Sequence, residues 1–89
     1  MITQDITIIN KLGLHARAAS KLVNLCSQFG CSIYLDNKGN RVNAKSIMGV
    51  MMLAASKGTV LKLEIDGEDE TQCVDAITTL FNNRFDEEE

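Results

Sequence analysis

The sequence predicts an α+β domain, an open-faced sandwich of order βαββαβα with four strands and three helices on one face. Three observations carry this expectation: strand-like alternation in three stretches, helical spacing of apolar residues in two, and a length of 89 residues. That length suffices for one core and leaves no room for a second, so residues 1–89 read as a single domain with a short acidic tail at 86–89.

Residues Ile2 to Ile9 alternate as a strand, with Ile2, Ile6 and Ile8 on one face and Thr3, Asp5 and Thr7 on the other. Asn10-Lys11-Leu12-Gly13 breaks it. From Ala16 to Phe29, Ala19, Leu22, Val23, Cys26 and Phe29 recur at helical spacing, and Gly30 stands where a left-handed cap would end the helix. Cys31 to Leu35 alternates again, and the polar run Asp36–Asn40 leads into a short strand at Arg41 to Ala44, which reads as a hairpin. Ser46 opens a short helix, Ile47 to Ala55, apolar nearly all round and closed by Lys57-Gly58. Thr59 to Ile65 supplies the fourth strand. Glu68-Asp69-Glu70 puts acidic residues at the start of a last helix whose buried stripe is Val74, Ile77, Leu80 and Phe81. Beyond Phe85 the tail is expected to be loose.

Composition excludes several classes of function. The net charge is −3, and Glu87, Glu88 and Glu89 alone carry that much, so the body is near neutral and no nucleic-acid footprint is expected. The longest apolar run is far too short to span a bilayer, and Met1-Ile2-Thr3-Gln4-Asp5 lacks the basic start of a signal peptide. A soluble, cytoplasmic protein follows. Cys26, Cys31 and Cys73 match no zinc or redox spacing and read as buried reduced thiols, with no metal site and no cofactor.

The one histidine, His15, falls at the start of the first helix and two residues before Arg17. The first N–H groups of a helix have no intrahelical partner and carry the positive end of its dipole, so Ala16, Arg17 and Ala18 are placed to donate to an anion on His15. That field also favours a neutral imidazole, whose free lone pair is a nucleophile. Arg17 can bind a phosphate through two parallel hydrogen bonds. No metal-ligand set, general base or nucleotide loop accompanies the pair, which suits a carrier better than a complete enzyme. From these two residues alone, a capping histidine beside a solvated arginine stays an equal alternative.

The wider pattern resembles the histidine-containing phosphocarrier family, HPr and its nitrogen-branch relative NPr, of the bacterial phosphotransferase system. The resemblance rests on Gly13-Leu14-His15-Ala16-Arg17, on Lys45-Ser46-Ile47-Met48-Gly49-Val50-Met51, on Lys57-Gly58-Thr59 and on Gly67-Glu68-Asp69-Glu70, in order and spacing. It implies an antiparallel sheet. It also implies that His15 takes a phosphoryl group on Nδ1 from phosphorylated enzyme I and hands it to an EIIA protein, with Arg17 assisting. Ala18 departs from the family's usual proline, which lacks the N–H that alanine retains. Leu80 to Glu88 looks like the nitrogen branch and the Ser46 segment like the sugar branch, so the branch stays open.

Ser46 reads as an N-cap, and the resemblance adds phosphorylation by an HPr kinase. Met51, with Ile47, Val50 and Ala54, makes a core stripe, whereas Met48 and Met52 lie off it. Met48 and Met52 are therefore expected in a docking patch centred on Leu14 and rimmed by Lys21 and Lys45, with Ile47 at the helix start counted among its residues. A carrier that presents one face to several partners is expected to be a monomer. Two other classes of function stay in view: a binding module that works through Ser46 alone, and a ferredoxin-like ligand-binding domain.

Overall fold

The alternating stretches pair through their backbones into one sheet, and period-two patterning puts Ile6, Ile33, Leu35, Leu61, Leu63 and Ile65 on its buried face while Val60 stays exposed. The computed structural model describes residues 1–87. It runs β1 Ile2–Thr7, α1 Ala16–Cys26, β2 Ser32–Asn37, β3 Asn40–Asn43, α2 Ile47–Met52, β4 Val60–Asp66 and α3 Glu70–Asn82, followed by a 3-10 turn at Arg84–Asp86. All strand pairs are antiparallel, in the order β1-β4-β2-β3. Ile65 lies between Ile2 and Ile33, and Leu63 faces Leu35, so the central strand β4 carries the middle of the core. Helix α3 lies over β1 and β4, and α1 packs against both α2 and α3. Leu22, Ile33, Leu35, Leu61, Ile65, Ile77 and Phe81 are fully buried between helices and sheet. The predicted open-faced sandwich is the observed one.

Four local expectations are corrected. Helix α1 stops at Cys26 rather than Phe29, because Gln28 N and Phe29 N bond three residues back to Leu25 O and Cys26 O and so tighten the last turn. Gly30 takes no left-handed cap. Its N–H and that of Cys31 instead donate to the two oxygens of Asp69, at 3.0 and 3.1 Å, tying the α1–β2 loop to the start of α3. Helix α2 ends at Met52, and Ala54 adopts a positive φ of 49°. Six residues cannot bury a stripe: only Val50 of that helix is buried, Met51 faces outward with Ile47, and Leu53 and Ala55 enter the core as the chain leaves the helix. Gly58 closes no helix either, since its N–H donates to Ile8 O at 2.8 Å.

The tail departs from expectation as well. Arg84, Phe85 and Asp86 all have φ between 54° and 63°, a left-handed turn that costs non-glycine residues roughly 1–2 kcal/mol each. Phe85 holds it in place, fully buried with its ring 4.8 Å from that of Phe81, while Lys21 Nζ donates to Phe85 O at 2.8 Å. The chain is therefore held in place for two residues past Phe85, through Asp86 and Glu87; Glu88 and Glu89 of the predicted tail lie outside the described residues.

Phe85→Ala should lower the stability of the fold by about 3–5 kcal/mol, measured by urea unfolding, because it leaves a cavity under the tail. A second expectation concerns acid. The Gly30 N–H first, and then the Cys31 thiol, hold the Asp69 carboxyl below its ordinary range. Its contribution is complete above the unfolded pKa of about 4 and disappears as pH falls through the lower folded value. Asp69→Asn should flatten that acid limb and speed amide exchange at Gly30 and Cys31.

Candidate functional site

The site is built where β1 hands over to α1. Gly13 has φ +67°, and a Cβ there would lie 2.5 Å from Ala55 O and 2.9 Å from Ser56 Cα, so no side chain fits. The close approach lets Leu14 N donate to Ala55 O at 2.9 Å and seats Leu14 in the core. Asn10, fully buried, completes the loop: Nδ2 donates to Gly13 O at 2.8 Å, and its backbone carbonyl accepts from Gly13 N at 3.2 Å.

His15 follows as the N-cap of α1, with extended backbone and its carbonyl accepting from Ala19 N at 2.8 Å. The N–H groups of Ala16, Arg17 and Ala18 precede the first intrahelical bond, the arrangement expected for an anion cradle. The imidazole makes no capping bond to its own helix. Its Nε2 is instead in short contact with Glu87 Oε2, while Glu87 Oε1 accepts from Asn10 Nδ2 at 2.9 Å. An ionised carboxylate can only accept, so Nε2 carries the proton and, in the neutral ring, Nδ1 carries the lone pair. The His15 side chain is 26% exposed and that of Glu87 15%. The Asn10 amide, foremost, and then His15 with the charge of Arg17 hold the Glu87 carboxyl below its ordinary range. Arg17 itself is exposed.

Ser46 is the N-cap of α2, its Oγ accepting from Gly49 N at 3.2 Å. Beside it Met48 and Met52 are 69% and 71% exposed, as expected, and Ile47 and Met51 are partly so. Leu14 is not the centre of this patch, because the Gly13 approach draws it inward. Nor are the two lysines free rim charges: Lys21 is tied to Phe85 O and Asp86, and Lys45 Nζ donates to Phe29 O at 2.7 Å. Sequence reasoning missed Glu87, which lies 72 residues from His15 and was counted only as tail charge. It also missed Leu12, exposed in the loop that leads to His15.

Among the described residues no group of three or more His, Cys, Asp or Glu side chains is placed to hold a metal. The three cysteines are free and buried, and burial pushes the Cys26 thiol up to about 12 and raises Cys31 and Cys73 as well. Nor is any described helix long and apolar enough to cross a membrane.

The family model described as the phosphorylation site of the HPr component of the phosphotransferase system, PTS-HPr, matches residues 2–83. The chain belongs to the HPr family. The phosphocarrier protein HPr of Xylella fastidiosa strain Temecula1 is 56% identical over 99% of both chains. In structure, HPr-C-His from Thermoanaerobacter tengcongensis superposes with a TM-score of 0.96 at 43% identity over the whole of both chains. An HPr dimer from the same organism is similar over 92% of this chain and 94% of that one, at 44% identity and TM-score 0.79. HPr proteins are phosphocarriers of the bacterial phosphotransferase system, so this chain is a carrier and not a catalytic enzyme in its own right.

The Glu87 contact adds stability above the unfolded carboxylate pKa of about 4.3 and loses it as pH falls through the lower folded value. The Asn10 side-chain amide resonance should therefore titrate with a midpoint below that of a free glutamate, and Glu87→Gln should abolish the titration.

Proposed function

We propose that His15 accepts a phosphoryl group on Nδ1 from phosphorylated enzyme I and passes it to an EIIA-type protein. The observation that carries this reading is His15 at the N-cap of α1, directly before the three N–H groups that open the helix, with its Nε2 engaged by Glu87. The Nδ1 lone pair forms the new N–P bond as the donor's bond to phosphorus breaks, its electron pair leaving with the donor. Backbone donors from Ala16, Arg17 and Ala18, with the Arg17 guanidinium, balance the charge spread over the phosphoryl oxygens. Transfer onward is the same displacement, with His15 as the leaving group. Ala18 supplies a donor that the family's usual proline would lack.

Docking falls to the exposed apolar residues of α2. Ile47, Met48 and Met52, joined by Met51, offer adaptable side chains that several partners could cover in turn. The chain works in the cytoplasm and as a monomer. A light-scattering mass of two chains would instead favour an arrangement like that of the Thermoanaerobacter dimer.

Ser46 supports a second, compatible reading as a target of HPr kinase, because it is exposed and borders the docking patch. A phosphate there would add a charge of roughly −1.5 to −2 beside that patch and repel acidic partners.

Mixed with enzyme I and phosphoenolpyruvate, the protein should acquire an acid-labile, base-stable phosphate that His15→Ala abolishes; no label would favour a module that only binds. Arg17→Ala should slow labelling by about a hundredfold, the lower end of what losing a preorganised oxyanion donor brings. Incubation with an HPr kinase should add one phosphate that Ser46→Ala removes. That variant should also unfold about 0.5–2 kcal/mol more easily through loss of the cap.

A further inference from the structure

The C-terminal turn delivers one carboxylate to the ring that carries the proposed chemistry, and three separate anchors fix its approach. Phe85 is fully buried against Phe81, Lys21 Nζ holds Phe85 O, and Glu87 N donates to Arg84 O at 3.0 Å. The side chain is then gripped at both oxygens, Oε1 by Asn10 and Oε2 by His15. The orientation of the Asn10 amide is forced, because both groups facing its Nδ2, a carbonyl and a carboxylate, can only accept. Its Oδ1 is meanwhile buried without a hydrogen-bond partner among the described residues. A buried amide that leaves its own acceptor unsatisfied in order to aim both donors at Gly13 and Glu87 marks a contact that the loop is built around.

We infer that Glu87 is a positioning residue for phosphoryl transfer: by accepting from Nε2–H of His15 it fixes the ring with the Nδ1 lone pair outward and offsets the positive charge on the phosphorylated ring. The inference rests on the proposed role of His15. When Nδ1 bonds to phosphorus while Nε2 keeps its proton, the ring becomes cationic, and a carboxylate on the far nitrogen stabilises that charge without approaching the phosphoryl oxygens. The proton stays on Nε2 throughout, and no further reactant is needed. This is the arrangement in which a carboxylate orients a histidine through one nitrogen while the other reacts.

The test compares the wild type with Glu87→Ala and Glu87→Gln, using protein labelled with 15N in the histidine ring. At pH about 9, where histidine is neutral, the wild type should show a slowly exchanging Nε2–H and a deprotonated Nδ1. Glu87→Ala should lose the slow exchange and accept phosphate from phosphorylated enzyme I about tenfold more slowly, the lower end of what loss of a residue orienting a reactive histidine brings. Glu87→Gln, which keeps an acceptor but no charge, should retain the Nε2–H signal and recover only part of the rate. An unchanged or faster rate in Glu87→Ala overturns the inference, the faster one making Glu87 a shield. So does a slower rate with Nε2–H exchange unaltered, which would make Glu87 merely structural. If the wild type takes no phosphate while its Nε2–H is protected, the role of His15 fails and that of Glu87 with it; if it is phosphorylated and only the variant comparison fails, His15 stands alone.

Discussion

The approach of Gly13 to Ala55 and Ser56 is the constraint on which the site depends. A backbone that passes this close to another admits no Cβ, and the left-handed φ of Gly13 makes the same demand independently. The approach ties the end of α2 to the start of α1 through Leu14 N and Ala55 O. It thereby fixes both the residue at which α1 begins and the proximity of the α2 patch to His15. Everything chemical follows from that placement. The helix begins one residue after the histidine, so the histidine inherits the field and the free donors of the helix end.

The sheet makes the constraint rigid. β4 lies between β1 and β2, with Leu63 and Ile65 in the core, and β1 leads directly into the site loop. Gly58 N and Thr59 O grip Ile8 from the loop that leads from α2 into β4. The loop is thus held from both of its neighbours, and the bond from Leu14 N to Ala55 O brings the exit of α2 beside the start of α1, while Lys45 at the entry of α2 reaches Phe29 beyond the other end of α1. On the proposed reading, a partner that covers the exposed apolar residues of α2 also reaches the ring of His15.

The fold was legible because its signals are periodic. Alternation in Ile2–Ile9, Cys31–Leu35 and Thr59–Ile65 marks strands whatever their partners, and the spacing of Leu22 and Cys26 or of Ile77 and Phe81 marks helices. His15 and Arg17 by themselves left a capping histidine beside a solvated arginine as an equal alternative, and it was the motifs around them that singled them out; the structure places His15 at the N-cap of α1, and the roles of both residues belong to the proposal. The rest failed for physical reasons. Helix α2 is apolar on every side and so has no face to read, and its end at the left-handed Ala54 has no glycine to announce it. Lys21 and Lys45 showed their charge but not the carbonyls that hold them. Glu87 could not be seen, since its contacts with Asn10 and His15 span most of the chain and depend on a left-handed turn made by Arg84, Phe85 and Asp86.

On the proposed reading, the contact of Glu87 with Nε2 leaves Nδ1 of His15 as the nitrogen that takes the phosphoryl group. The most direct measurement is the 31P–15N coupling in phosphorylated protein labelled in the histidine ring. The expected coupling is to Nδ1, with the amide resonances of Arg17 and Ala18 displaced by new hydrogen bonds. Coupling to Nε2, which would require Glu87 to leave the ring, would contradict it.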